Sequence, residues 1–335
     1  MAKRKEFEYT FASAYIGCFV RNLMNRQDYS RLAGCKDLDM AESILQDFGY
    51  GEAKEVREGD IEAFIRREQN KLFDQIMKTI PEEEELALCL YPYDYHNVKV
   101  CLKSEFLGLT PDDTYLVSTS SIDWMKIVAM IRDRNYMFMP VRMKHAIIEA
   151  TDLFGRGGDP QEIDIIMDRA CYEDMLESAE ATGEKFLIGE VKLQIDILNL
   201  KTFARLREIN KPWSFFQKVF LTGGNISEQF FINNYEEAYS QLADKLAPYG
   251  FKSAVAEGGR VLRETGDFSL LEKLCEDQLM EFNKQAKYES FGIIPIAGYW
   301  YAKEIEIDNL RIILTGKLIG ESPETVLERL REPYV

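Results

Sequence analysis

The sequence predicts an all-α protein made of three similar helical domains, and three observations predict it. Apolar residues recur at helical spacing along most of the chain, period-2 runs are scarce, and one short polar pattern returns at intervals of roughly a hundred residues. The 335 residues exceed a usual single domain. A chain of that size buries roughly three quarters of its extended surface, so no disulfide or metal is needed to stabilise a core.

Helical faces are legible in order along the chain. From Phe11, apolar residues fall at Tyr15, Phe19 and Leu23, one per turn, and this spacing predicts a buried face. Met40, Ile44 and Phe48 repeat the spacing, as do Trp124, Val128 and Ile131, and then Tyr235, Tyr239, Leu242 and Leu246. Between them lie stretches rich in Glu, Lys, Ala and Leu, which favour helix. The breaks "DFGYGEAKEVREGD", "DLFGRGGDPQ" and "RETGDFS" end one helix on glycine and open the next on an acid. "IPEEEEL" has the proline and acids of a helix start. "TYLVSTSS", residues 114–121, is the best strand candidate.

Composition excludes several classes. A formal net charge of −16 opposes binding to a phosphate backbone or to an anionic lipid surface. The six cysteines form no CxxC pair and most lie in apolar, periodic stretches, the pattern of reduced, buried thiols in a cytosolic protein. "MAKRKEFEY" is basic but lacks the apolar core of a secretory leader, and "FGIIPIAGYWYA" is too short to span a membrane. His96 and His145 are the only histidines, neither lies in a nucleophile motif, and the glycine-rich pieces lack the GxxxxGK[ST] of a phosphate-binding loop. No metal-ligand spacing and no cofactor motif is present.

The recurring pattern is acid, two residues, Asn, aliphatic, base, apolar run. It appears as "DYHNVKVCLK" (Asp94, Asn97, Lys99), "DILNLKTFAR" (Asp196, Asn199, Lys201) and "EIDNLRIILTGK" (Glu306, Asn309, Arg311). The helices "DIEAFIRREQNKLFDQIMKTI", "EIDIIMDRACYEDMLESAEA" and "LLEKLCEDQLMEFNKQA" precede it at similar distance. Further upstream, residues 11–29, 119–136 and 233–251 each read as an amphipathic helix. The copies therefore run over 11–113, 114–224 and 225–335. His96 is outside the pattern, because Leu198 and Asp308 take its place. On a helix the acid and the amide share a face. The expectation is a structural latch: acid and amide bond the backbone or side chains of an adjacent helix, and the base reaches a neighbour. A catalytic carboxylate with an orienting Asn is the competing reading.

"YWYAKEIEIDNLRIILTGKLIGESP", residues 299–323, resembles the C-terminal signature of the C subunit of the V-type and archaeal or bacterial A/V-type rotary ATPases, known as the d subunit in vacuolar enzymes. "YDYHNVKVCLK" and "DILNLKT" resemble the earlier copies of the same element, so the likeness covers nearly the whole chain. The resemblance implies three helical domains about a pseudo-threefold axis forming a funnel. It implies a rotor part without a catalytic site, cofactor or metal, one copy per complex, on the cytoplasmic face of the membrane. There the proteolipid ring lies on one side and the D and F subunits of the central stalk insert from the other, coupling ATP turnover to ion movement. The motif residues are carried over as fold determinants only. The alternatives are an all-helical lyase or transferase, and a general helical scaffold. Common solenoids repeat every 33 to 47 residues or so, far less than these copies.

Overall fold

A computed structural model describes residues 9–81 and 83–335, with side chains omitted at 83 and 84. The leader reading of "MAKRKEFEY" lies almost wholly outside that set, and of "IPEEEEL" Glu82 does, while a 3-10 turn at Glu83–Leu86 leads into the helix that begins at Ala87. The described residues form seventeen α-helices and no strand. In chain order these are α1 Thr10–Val20, α2 Arg26–Ala33, α3 Leu38–Asp47, α4 Lys54–Glu58, α5 Ile61–Met77 and α6 Ala87–Phe106. Then come α7 Trp124–Arg132, α8 Val141–Gly157, α9 Pro160–Thr182, α10 Lys185–Glu208, α11 Trp213–Val219 and α12 Glu228–Asn233. The last are α13 Tyr239–Leu246, α14 Gly259–Thr265, α15 Ser269–Asn283, α16 Ile294–Ile319 and α17 Pro323–Arg329.

The boundaries follow local chemistry. Asp37, Asp60, Asp123, Asp159 and Ser227 each accept from an amide in the first turn of α3, α5, α7, α9 and α12. Asn25 and Asp28 form a reciprocal capping box at α2. Gly59, Gly158 and Gly266 end α4, α8 and α14 in the left-handed region, where a side chain is strained.

The chain packs as two compact units. One comprises residues 82–195 and 219–224. In it α6 packs against α7, α8 and α9, and α8 packs against α9. Phe106 stacks on Phe154 at 4.2 Å between ring centres. The other comprises, of the described residues, 9–81, 196–218 and 225–335. Here α16 is the central helix, packed against α1, α2, α3 and α5. Ile307, Leu310, Ile313 and Leu314 share a core with Leu32, Ile44, Leu45, Phe64 and Ile65. Elsewhere in this unit Phe203, near the end of α10, is ringed by Phe216, Phe231 and Tyr235 at 5.2–5.7 Å.

Two expectations need correction. "TYLVSTSS" is not a strand: a short 3-10 turn covers its first residues and the rest is loop. Its extended backbone pairs with side chains of α6 instead of with another strand. The expected face from Phe11 holds only at its end: Leu23 is buried and Phe19 half-buried, but on α1 Phe11 and Tyr15 face solvent, and Tyr9, Ala12, Ser13 and Ile16 are buried instead. The small Ala12–Ser13 face lets α1 approach closely, and the Ser13 hydroxyl donates to the Gly292 carbonyl at 3.1 Å. Met40 is likewise exposed although Ile44 is buried. By contrast Tyr299 and Trp300 lie in the core. Four thiols are buried, Cys89 is half-buried and Cys18 is exposed, and none of the six is in a disulfide. Burial pushes the Cys101 and Cys275 thiols up to about 12.

Tight packing sets the first expectation. A Cβ built on Gly258 would stand 2.5 Å from the Leu271 Cα, which is backbone and cannot swing away. Gly258→Ala should therefore cost about 1–3 kcal/mol in a urea melt. Gly155, inside α8 with nothing within 4 Å of such a Cβ, should gain about 0.5–1 kcal/mol on replacement by Ala. Equal effects at the two positions would contradict this packing.

Candidate functional site: the polar contacts of α6, α10 and α16

The nine motif residues lie on three long helices, and their acids and amides are buried to 2% exposure or less. A carboxylate taken out of water needs donors. Each acid finds them in loop amides just ahead of a helix. Asp94 on α6 accepts from the Ser121 amide at 2.8 Å, the Ile122 amide at 3.2 Å and the Ser121 hydroxyl. Asp196 on α10 accepts from the Asn225 amide at 3.0 Å, the Asn225 side chain at 2.8 Å and the Ile226 amide at 2.9 Å. Glu306 on α16 accepts from the Met24 amide at 2.5 Å, and from the Tyr50 hydroxyl and Lys303. The receiving positions correspond, because Met24, Ile122 and Ile226 each immediately precede the N-cap of α2, α7 or α12.

The amides act differently. Asn97 donates to the Val117 carbonyl at 2.8 Å and accepts from the Val117 N–H at 2.9 Å. Asn309 makes the same pair with Arg331, at 3.1 and 2.9 Å. A primary amide satisfying both polar groups of one residue replaces a neighbouring strand. Asn199 is buried on the same face of α10 as Asp196.

The bases reach side chains on other helices. Lys99 donates to Asp168 of α9 at 2.6 Å, Lys201 to Glu276 of α15 at 3.2 Å, and Arg311 to Glu62 of α5 at 3.1 Å. One turn further on, Lys103 bonds Asp164 at 2.7 Å and Arg205 bonds Glu272 at 2.8 Å. These pairs are partly exposed and stabilise by at most about 1 kcal/mol each.

The direction of these contacts is consistent. Residues of 87–106 bond residues of 117–168, those of 196–205 bond those of 225–276, and those of 306–311 bond those of 24–62. The partner thus lies in the following stretch of sequence, and for Glu306 and Arg311 of α16 in the first, whereas Asn309 bonds Arg331 within its own stretch. The receiving loops were missed in the sequence. Their only signal is an aliphatic residue followed by a capping side chain, in "MN", "ID" and "IS".

Glu306 and Asp94 sit in different electrostatic settings. Glu306 has a cation, Lys303, which also lies over the Tyr50 ring at 4.2 Å from its centre. Tyr50, buried beside Glu306, is held well above its ordinary pKa by burial and by that carboxylate. Asp94 meets only neutral donors. Burial raises its pKa, against the pull of the Ser121 and Ile122 hydrogen bonds. His96 is exposed, with Nε2 2.8 Å from the Tyr115 carbonyl, and takes no part. Among the described residues no group of three or more His, Cys, Asp or Glu is placed to hold a metal. Nor is any helix among them long and apolar enough to cross a membrane. The arrangement presents no open carboxylate to a substrate. What it does chemically is satisfy backbone groups across long sequence separations.

These contacts belong to a chain whose relatives are identifiable. Residues 12–329 match the ATP synthase (C/AC39) subunit family, and the chain belongs to it. The C subunit of the V-type sodium ATPase of Enterococcus hirae is 25% identical over 319 residues, covering 93% of this chain and 94% of that protein. The C subunit of the A-type ATP synthase of Methanothermobacter thermautotrophicus is 19% identical over 343 residues, covering 97% and 88%. That of Methanocaldococcus jannaschii is 20% identical over 348 residues, covering 95% and 85%.

Two measurements check the polar contacts. Asp94→Ala strands two loop amides and should cost about 1–3 kcal/mol, whereas Asp94→Asn keeps an acceptor for both and should cost less. Because the folded pKa of Asp94 is raised, its ionised form is disfavoured by folding. Its stabilising contribution is complete below the unfolded value near 3.8 and declines as pH rises through the folded value. The stability difference between wild type and Asp94→Asn should therefore shrink with rising pH over that interval, read from urea melts. Glu306→Ala removes the buried carboxylate shared by the Met24 amide, Tyr50 and the half-buried Lys303, and should cost about 1–3 kcal/mol.

Proposed function

We propose that this chain is a non-catalytic rotor subunit of a V/A-type ATPase. It acts as a socket between the D and F subunits of the central stalk and the membrane proteolipid ring, and transmits rotation during ATP-driven ion transport or ion-driven ATP synthesis. It is peripheral, on the cytoplasmic face, at one copy per complex. The observation that carries this reading is membership of the C/AC39 family along residues 12–329, together with the names its relatives bear.

The polar contacts support it. A part that carries torque must resist shear between its segments. Stretches 11–113, 114–224 and 225–335 are proposed as three copies of one helical unit, each handing its long helix to the next. Buried hydrogen bonds are directional and fail together, so they oppose sliding better than apolar packing alone. The acidic balance of the chain suits docking on basic partner surfaces.

A tagged chain purified from detergent-solubilised membranes should bring down both the proteolipid ring and the stalk pair. Recovery of the chain alone, under conditions that keep the rest of the ATPase intact, would contradict the proposal. Binding to the isolated stalk pair should weaken about tenfold between roughly 0.05 and 0.5 M salt in a titration. Salt-independent binding would remove the electrostatic part of the proposal.

A further inference from the structure

Each motif acid grips the start of another helix, and two of the three long helices also grip that helix at its end. Eleven residues make close to three full turns, so a side chain eleven places after the acid lies on the same face, about 16 Å further along. On α16 that residue is Lys317, which donates to the Ala33 and Cys35 carbonyls at the end of α2, at 3.0 and 2.5 Å. On α10 it is Arg207, which donates to the Glu237 carbonyl beyond α12 at 2.5 Å and lies over the Tyr239 ring at 4.5 Å from its centre. The receiving positions keep the same spacing: Cys35 is eleven residues after Met24, and Glu237 eleven after Ile226. A carboxylate at the start of a helix and a cation at its end both complement the helix dipole.

On α6 the residue in that place is Glu105, and the receiving place, eleven residues after Ile122, is Asp133. An ionised carboxylate has no proton to give a carbonyl, and it opposes the negative end of a helix. Burial raises the Tyr136 pKa, Arg134 opposes the rise and Glu105 adds to it, so the Glu105 carboxylate stands close to the segment that follows α7. That segment is open where its counterparts are closed. Asp133, Arg134 and Asn135 are exposed, whereas Cys35, Asn234 and Tyr235 are buried. Arg134 takes φ 50°, an uncommon conformation for a residue with a side chain. Just beyond, Met137 and Phe138 stand 69% and 79% exposed. We infer that α7 is a hinged helix: Asp94 pins its start, an acid takes the place of Lys317 and Arg207 at its end, and Glu105 is the residue that leaves that end free to swing. The swing re-aims Met137 and Phe138. The inference concerns this chain alone and stands independently of the rotor reading.

The test is amide hydrogen exchange on the full chain, read at the amides that close each helix end. The Asp133, Arg134 and Asn135 amides donate to the Ala129, Ile131 and Met130 carbonyls at 2.9–3.2 Å. Those of Gly34, Cys35, Asn234 and Tyr235 make similar backbone bonds at 3.0–3.4 Å, so unequal protection reports the grip and not the bond. Protection at Asp133–Asn135 should be about tenfold below that at the other four amides. Glu105 is exposed, so replacing it leaves the core untouched. Glu105→Lys supplies the absent donor and should raise protection at Asp133–Asn135 about tenfold, whereas Glu105→Ala should leave it within about threefold of wild type. Lys317→Ala should lower protection at Gly34 and Cys35 about tenfold without changing Asp133–Asn135. Equal protection at the three helix ends, no gain in Glu105→Lys, an equal gain in Glu105→Ala, or no loss in Lys317→Ala would each overturn the inference.

Discussion

The structure depends on one pairing: a buried carboxylate in the middle of a long helix, facing loop amides that stand ahead of another helix. Each side of the pairing is costly alone. An ionised carboxylate loses its hydration on burial, and an amide in an irregular loop has no strand or helix partner. Asp94 with Ser121 and Ile122, Asp196 with Asn225 and Ile226, and Glu306 with Met24 solve both problems at once. The acid is held rigidly by its helix, so it fixes where the next helix begins. The adjoining Asn97 and Asn309 then fix the course of the chain through Val117 and Arg331.

The three pairings differ where the chain differs. Glu306 is one methylene longer than Asp94 and Asp196, and it also serves Tyr50 and Lys303. The partner of α16 lies at the opposite end of the sequence, 282 residues from Glu306 at Met24. That separation matters for folding, since the contact forms only after most of the chain has been made. It also means that residues 24–65 have their core completed by α16, through Ile307, Leu310, Ile313 and Leu314.

Much of this was legible in the sequence, and what was missed has physical causes. The all-helical class followed from apolar spacing, and the caps from Asp, Ser and Gly positions. The triplets were visible because buried polar residues in a helix interior are conspicuous. Their partners were invisible, since a backbone amide carries no sequence signature. The same blindness produced the strand reading of "TYLVSTSS", whose extended backbone bonds Asn97 and Asp94. The reversed face of α1 has a different cause. Phe11 and Tyr15 outweigh Ala12 and Ser13 in hydrophobicity, but the small pair allows the closer approach to the following core.

The most direct measurement is amide hydrogen exchange at Met24, Ile122 and Ile226. If the carboxylates hold these loop amides, they exchange as slowly as the interiors of α6, α10 and α16, with opening free energies close to that of global unfolding. Exchange at rates typical of solvent-exposed loops would show that the carboxylates do not hold them, and would contradict the central pairing.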